Sequence, residues 1–230
     1  MQIKFVFVDI DNTLLSFDEY VKHTMQKGFS HFGIKKYEPY MYDVFHEENN
    51  ALWRKIEQGT ITFHELEKVR WNNVFTRLKI DFDGPKFEKY FRAELYNSAI
   101  PEAEAFLMLD YLSKKYTLCV ASNGPYLQQL HRIEIAEMKK YFDYFFISEK
   151  VGASKPSKEF FEYAFREIND GSDIPVSPCE TIIIGDSLTS DIAGGRQFGM
   201  KTCYYTRGKE RDEKPADIVI DRLSDIKKYL

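Results

Sequence analysis

Six short apolar runs constrain this chain most: FVFVDI (5–10), TLCVAS (117–122), YFFIS (144–148), TIIIGD (181–186), TCYYT (202–206) and DIVI (217–220). Several are continuous rather than alternating, as expected of strands covered on both faces. Helical stretches separate them. Over 101–115, Ala105, Leu109 and Leu112 recur at helical spacing, and Pro101 suits a first turn. Strands alternating with helices predict an α/β fold: a parallel sheet in a three-layer α/β/α, Rossmann-like core.

One interval breaks the rhythm. Between the first strand and Pro101 no run reads as a strand. Val21, Met25, Phe29 and Phe32 mark one helical face, and Met41, Val44, Phe45, Leu52 and Ile56 mark a second. Thr62 and Glu65 have capping-box spacing ahead of a third helix with Leu66, Val69 and Leu78, and Phe87, Phe91 and Leu95 mark a fourth. The expectation is a helical domain over 16–98 inserted into a core formed by 1–15 and 99–230.

Composition narrows the function. A net charge of −4 over 230 residues argues against a nucleic-acid polymer as partner, which calls for a basic face. Five scattered histidines and three single cysteines show no zinc spacing; Cys119 and Cys203 lie inside apolar runs and read as buried thiols. No apolar stretch is long enough to span a bilayer, and the apolar start is too short for a signal peptide. The expectations are no membrane partner and a cytoplasmic location.

Ligands of open parallel sheets bind beyond the carboxyl ends of the strands. There the sequence places Asp9-Ile10-Asp11-Asn12-Thr13, Ser122-Asn123-Gly124, Gly185-Asp186 with Asp191 five residues on, and Lys155-Pro156 ahead of a helix. Each fragment alone reads as a turn or cap. Together they converge several carboxylates on one crevice with one lysine. Two carboxylates 4 Å apart repel by about 4 kcal/mol at an effective dielectric of 20, and a bound cation resolves the conflict. Oxygen-only ligands favour Mg2+.

These four motifs resemble, in order and along essentially the whole chain, those of the haloacid dehalogenase-like (HAD) hydrolase superfamily. The helical insertion is similar to the family's C1 cap. The resemblance implies a phosphatase with Asp9 as nucleophile, Asp11 as general acid and base, and Lys155 offsetting the charge of Asp9 and the phosphate. It implies Ser122 and the N–H groups around Asn123 and Gly124 as phosphate ligands. Asp186, with Asp9 and the Asp11 carbonyl, would bind Mg2+, and Asp191 would either touch the ion or hold one of its ligands. An acid at position 11 points away from the family's dehalogenases, which lack one there. Receiver domains also gather acids and a lysine, but they carry no inserted cap. A non-catalytic binding module on this fold would be expected to have lost a motif.

The stretch from Leu52-Trp53 through Gly59-Thr60 to Arg70-Trp71 is similar to pyrimidine 5′-nucleotidases, whose substrates are small-molecule phosphate esters. A phosphatase of phosphoglycolate or sugar phosphates is the alternative. Phe17, Trp53 and Arg70 are candidate substrate contacts. Against these stand packing for Phe17 and the tryptophans, and for Arg70 a surface ion pair with an acid such as Glu67.

Overall fold

Phe7, Cys119, Ala121, Phe146 and Ile183 alternate with Val6, Val8, Leu118, Val120, Ile182 and Ile184, and the two sets enter different hydrophobic clusters. That period of two divides one sheet into two buried faces. In this computed structural model, which describes residues 2–171, 173–209 and 216–230, the strands are β1 (Phe5–Val8), β2 (Thr117–Ser122), β3 (Tyr144–Ile147), β4 (Thr181–Gly185), β5 (Lys201–Tyr205) and β6 (Ile218–Ile220). All pair in parallel, in the order β3-β2-β1-β4-β5-β6. Strand order therefore reverses between β1 and β4, which is where a ligand crevice is expected.

The chain divides into two compact units, Met1–Ser16 with Ala99–Leu230 and Phe17–Ser98. In the sheet unit, α5 (Ala105–Leu112) and α6 (Tyr126–Ile135) supply Met108, Leu109, Leu112 and Ile133 to one face. α8 (Lys158–Asn169) supplies Phe160, Phe161, Ala164 and Phe165 to the other. Between α6 and α8 lies the short α7 (Ser148–Val151), and α9 (Ala193–Phe198) follows β4. Cys119 and Cys203 are buried free thiols, and burial pushes both up from the usual thiol range. Among the described residues no helix is long and apolar enough to cross a membrane.

The helix expected over 101–115 is shorter at both ends. Pro101 is not in its first turn but bridges to Leu15, and Glu104, at φ 65, precedes the helix. The reason is tertiary. The Ser16 N–H donates to the Ile100 carbonyl at 2.7 Å and the Glu102 N–H to the Leu14 carbonyl at 2.9 Å. The outgoing and returning segments of the sheet unit thus hold each other before a helix can start.

The other unit contains α1 (Phe17–His31), α2 (Tyr40–Glu57), α3 (Phe63–Leu78) and α4 (Gly84–Tyr96). The capping box forms: the Glu65 N–H donates to Thr62 Oγ1 at 3.2 Å, and the Thr62 N–H to Glu65 Oε2 at 2.7 Å. Aromatic rings fill the centre. Trp71 is fully buried, its ring 4.3 Å from Phe87 and 5.1 Å from Phe45. One charged network lies among them. Arg70 donates from Nε to Glu88 Oε2 at 3.1 Å, from one terminal nitrogen to Glu88 Oε1 at 2.5 Å, and from the other to Asn49 Oδ1 at 3.0 Å.

Candidate active site

The turn after β1 is built by its own backbone. The N–H groups of Leu14 and Leu15 both donate to the Ile10 carbonyl, at 2.8 and 2.9 Å, and the Asn12 N–H donates to the Leu15 carbonyl at 2.7 Å. Asn12 takes φ 63, a left-handed conformation that asparagine tolerates better than most side chains. Asp9 stays in register with the sheet, its N–H donating to the Ile184 carbonyl at 3.0 Å. The two acids of the first motif thus sit at the switch point, at the start of this turn.

Their partners differ. Lys155, 1% exposed, donates from Nζ to Asp9 Oδ1 at 2.8 Å, to Asp191 Oδ1 at 2.6 Å and to the Ala121 carbonyl. Lys155 is fixed in turn by Asn123: its N–H donates to Asn123 Oδ1 and Asn123 Nδ2 donates to its carbonyl, each at 2.9 Å. Asp191 Oδ2 accepts from the Ser187 N–H at 3.1 Å. Gly185 lets this carboxylate come close, since a Cβ there would stand 2.1 Å from Asp191 Oδ2.

Asp9, Asp186 and Asp191 each offer a carboxylate oxygen, all within 4.8 Å of one another. Burial pushes the Asp9 carboxyl up from 3.8 to about 7; Lys155 pulls it down, and Asp191 pushes it up again. The neighbouring carboxylates raise Lys155 despite its burial, so the lysine stays charged and Asp9 is the group that yields. When ionised, three carboxylates against one ammonium leave an excess of two negative charges. An all-oxygen donor set with that excess fits a hard divalent cation such as Mg2+.

Asp11, expected to reach the metal through its carbonyl, keeps its side chain out of this cluster. Its carboxylate accepts from Gln129 Nε2 at 2.8 Å and from Arg132 at 2.7 Å. Gln129 Nε2 also donates to Ser122 Oγ at 2.9 Å. The Gly124 N–H, expected on a phosphoryl oxygen, donates to Ser148 Oγ at 2.9 Å. Gln129 and Arg132 were missed by sequence reasoning. The available signal was a pair of polar residues three apart on α6.

The candidate substrate residues Phe17, Trp53 and Arg70 all belong to the helical unit. Half-buried Phe17 packs on the rings of Tyr20, Phe45 and Phe91, and half-buried Trp53 packs on Phe63. Arg70 is paired, but with buried Glu88 rather than Glu67, which pairs with Arg92. The reason is reach across helices: α3 and α4 pack together, and their facing charges meet in the interior.

The model of the haloacid dehalogenase-like hydrolases matches residues 3–199. The chain belongs to this family. The hydrolase is 31% identical over 206 residues to the pyrimidine 5′-nucleotidase PynA of Streptococcus pneumoniae, covering 89% of this chain and 84% of that protein. It is 30% identical over 199 residues to the HAD-hydrolase YfnB of Bacillus subtilis, covering 85% of this chain and 81% of that protein. The crystal structure of YfnB bound to magnesium superposes with a TM-score of 0.86 at 26% identity, over 99% of this chain and 98% of that one. Asp9 and Asp186 of this hydrolase directly follow β1 and β4, and Asp191 and Lys155 reach the same cluster from the segments ahead of α9 and α8.

Proposed function

We propose that this hydrolase is a Mg2+-dependent phosphomonoesterase that forms an aspartyl-phosphate on Asp9 and acts on pyrimidine nucleoside monophosphates. The observation that carries the chemistry is the division of labour in the first motif. Asp9 is held by Lys155 within the acid cluster, while Asp11 is held outside it by Gln129 and Arg132. A nucleophile and an acid need that separation, because they act on opposite ends of the bond being broken.

An Asp9 oxygen attacks phosphorus and the bond to the ester oxygen breaks. Asp11 gives its proton to that oxygen, releasing the alcohol. In the second displacement Asp11 takes a proton from water as the water attacks the phosphorus, restoring Asp9 and releasing phosphate. Ser122 orients the phosphoryl group, and Lys155 offsets the charge that gathers there. Mg2+ held by Asp9, Asp186 and Asp191, with the Asp11 carbonyl, supplies charge neutralisation when bound. The helical unit, with Phe17 and Trp53 as candidate contacts, serves as the cap that selects the nucleoside, while Arg70 is held inside it by Glu88 and Asn49. The likeness to PynA supports that substrate class.

The deciding test is Asp9→Asn assayed on UMP with Mg2+ and with EDTA. The variant is expected to fall to background while staying folded, and chelation to silence the wild type reversibly. Turnover by the variant, or indifference to EDTA, overturns the reading.

A further inference from the structure

Besides Ile133, α6 turns polar side chains into the protein, Gln129 and Arg132 the deepest of them. Gln129 and Arg132 lie three residues apart, which places them on one helical face. Each is 1% exposed. Burying an amide and a guanidinium is unfavourable unless their donors are satisfied. Here their donors go to functional groups. Gln129 Nε2 meets Asp11 Oδ2 at 2.8 Å and Ser122 Oγ at 2.9 Å. Arg132 meets Asp11 Oδ1 at 2.7 Å and Gln129 Oε1 at 2.8 Å. Asp11 is thus gripped at both oxygens from one helix. Ser122 Oγ accepts from Gln129, which leaves its own O–H to donate elsewhere.

We propose that Gln129 and Arg132 are positioning residues: together they fix the plane of the Asp11 carboxyl toward the leaving oxygen, and Gln129 also aims the Ser122 hydroxyl at the phosphoryl group. Each carboxyl oxygen keeps a second acceptor site beyond the donor it already meets. Rigid support of this kind keeps a catalytic group within the few tenths of an ångström that proton transfer requires. The inference rests on the reading of Asp11 as general acid and base.

The test is a series of phosphomonoesters running from p-nitrophenyl phosphate to alkyl phosphates, assayed with Mg2+ on Arg132→Met, Arg132→Lys, Gln129→Leu and Asp11→Asn, with thermal melts alongside. Arg132→Met is expected to lose at least about tenfold more kcat/KM on alkyl esters than on p-nitrophenyl phosphate, as general acid catalysis contributes about 10²–10⁴-fold in all. Arg132→Lys should recover part of that difference, because an ammonium reaches a carboxylate but as a single point. Gln129→Leu should show the same trend and, in addition, weaker inhibition by inorganic phosphate. Equal losses along the series in folded variants overturn the inference. If Asp11→Asn itself shows no dependence on the leaving group, the reading of Asp11 has failed; if it does and the α6 variants do not, only the positioning role has failed. Should Arg132→Met not fold, Arg132→Lys and Gln129→Leu decide.

Discussion

As the proposed nucleophile Asp9 must be ionised to attack, yet burial favours its protonated form. Its folded pKa is raised from 3.8 to about 7, so the native protein holds this proton after the unfolded chain has lost it. Stability from this group is therefore full below pH 3.8 and lost as pH rises through about 7. In EDTA, Asp9→Asn should be more stable than wild type by up to about 4 kcal/mol at pH 8, roughly 8 °C in Tm, with the gap closing near pH 4. Melts at both pH values check this; a gap that does not grow with pH contradicts it. A divalent cation must displace the same proton, so apparent Mg2+ affinity should rise from about pH 6 to about pH 8 with proton release. Calorimetry in two buffers of different ionisation enthalpy reads that release.

Elements hold these residues through a few close contacts. Gly185 ends β4 beside Asp191, and the 2.1 Å approach means that Gly185→Ala must push the carboxylate aside. A displacement on the order of 1 Å can cost about a hundredfold in rate, so a comparable fall in kcat with little change in overall fold is expected. In the helical unit, Arg70→Ala would strand Glu88, 4% exposed, without its buried partner. That should cost about 3–5 kcal/mol, measurable by denaturant unfolding, with much of it recovered in an Arg70→Met/Glu88→Leu pair. If Arg70→Ala leaves stability unchanged and raises KM alone, its role is substrate binding rather than packing.

At the scale of the whole molecule, the sheet unit carries the chemistry and the helical unit the proposed selectivity. A base against aromatic or apolar side chains gains about 1–3 kcal/mol by stacking, and overpacking by the larger purine would add a comparable penalty if the cap is shaped for a pyrimidine. A preference of at least about tenfold in kcat/KM for UMP or dTMP over AMP and phosphoglycolate follows. A panel of phosphate esters measures it. The absence of that preference would remove the nucleotidase assignment but leave the phosphatase chemistry proposed for Asp9, Asp11, Lys155, Asp186 and Asp191.

Much of the sheet and of the acid cluster is legible in the amino-acid sequence. Continuous apolar runs betray strands buried on both faces, because side-chain period and burial are local properties. The capping box of Thr62 and Glu65 is readable for the same reason. So are the acids and lysine of the four motifs, since strand ends in a parallel sheet must share one edge. What the sequence does not reveal depends on groups far apart in the chain. Gln129 and Arg132 reach Asp11 across 118 and 121 residues, and no spacing rule links them. Arg70 pairs with Glu88, 18 residues away, because two helices pack there. Pro101 leaves its expected helix because Leu14 and Ser16 claim the backbone on either side of it. Sequence alone determined which residues end the strands and carry the charge. Only the tertiary structure decided which donor holds which acid, because hydrogen-bond partners are chosen by distance in space.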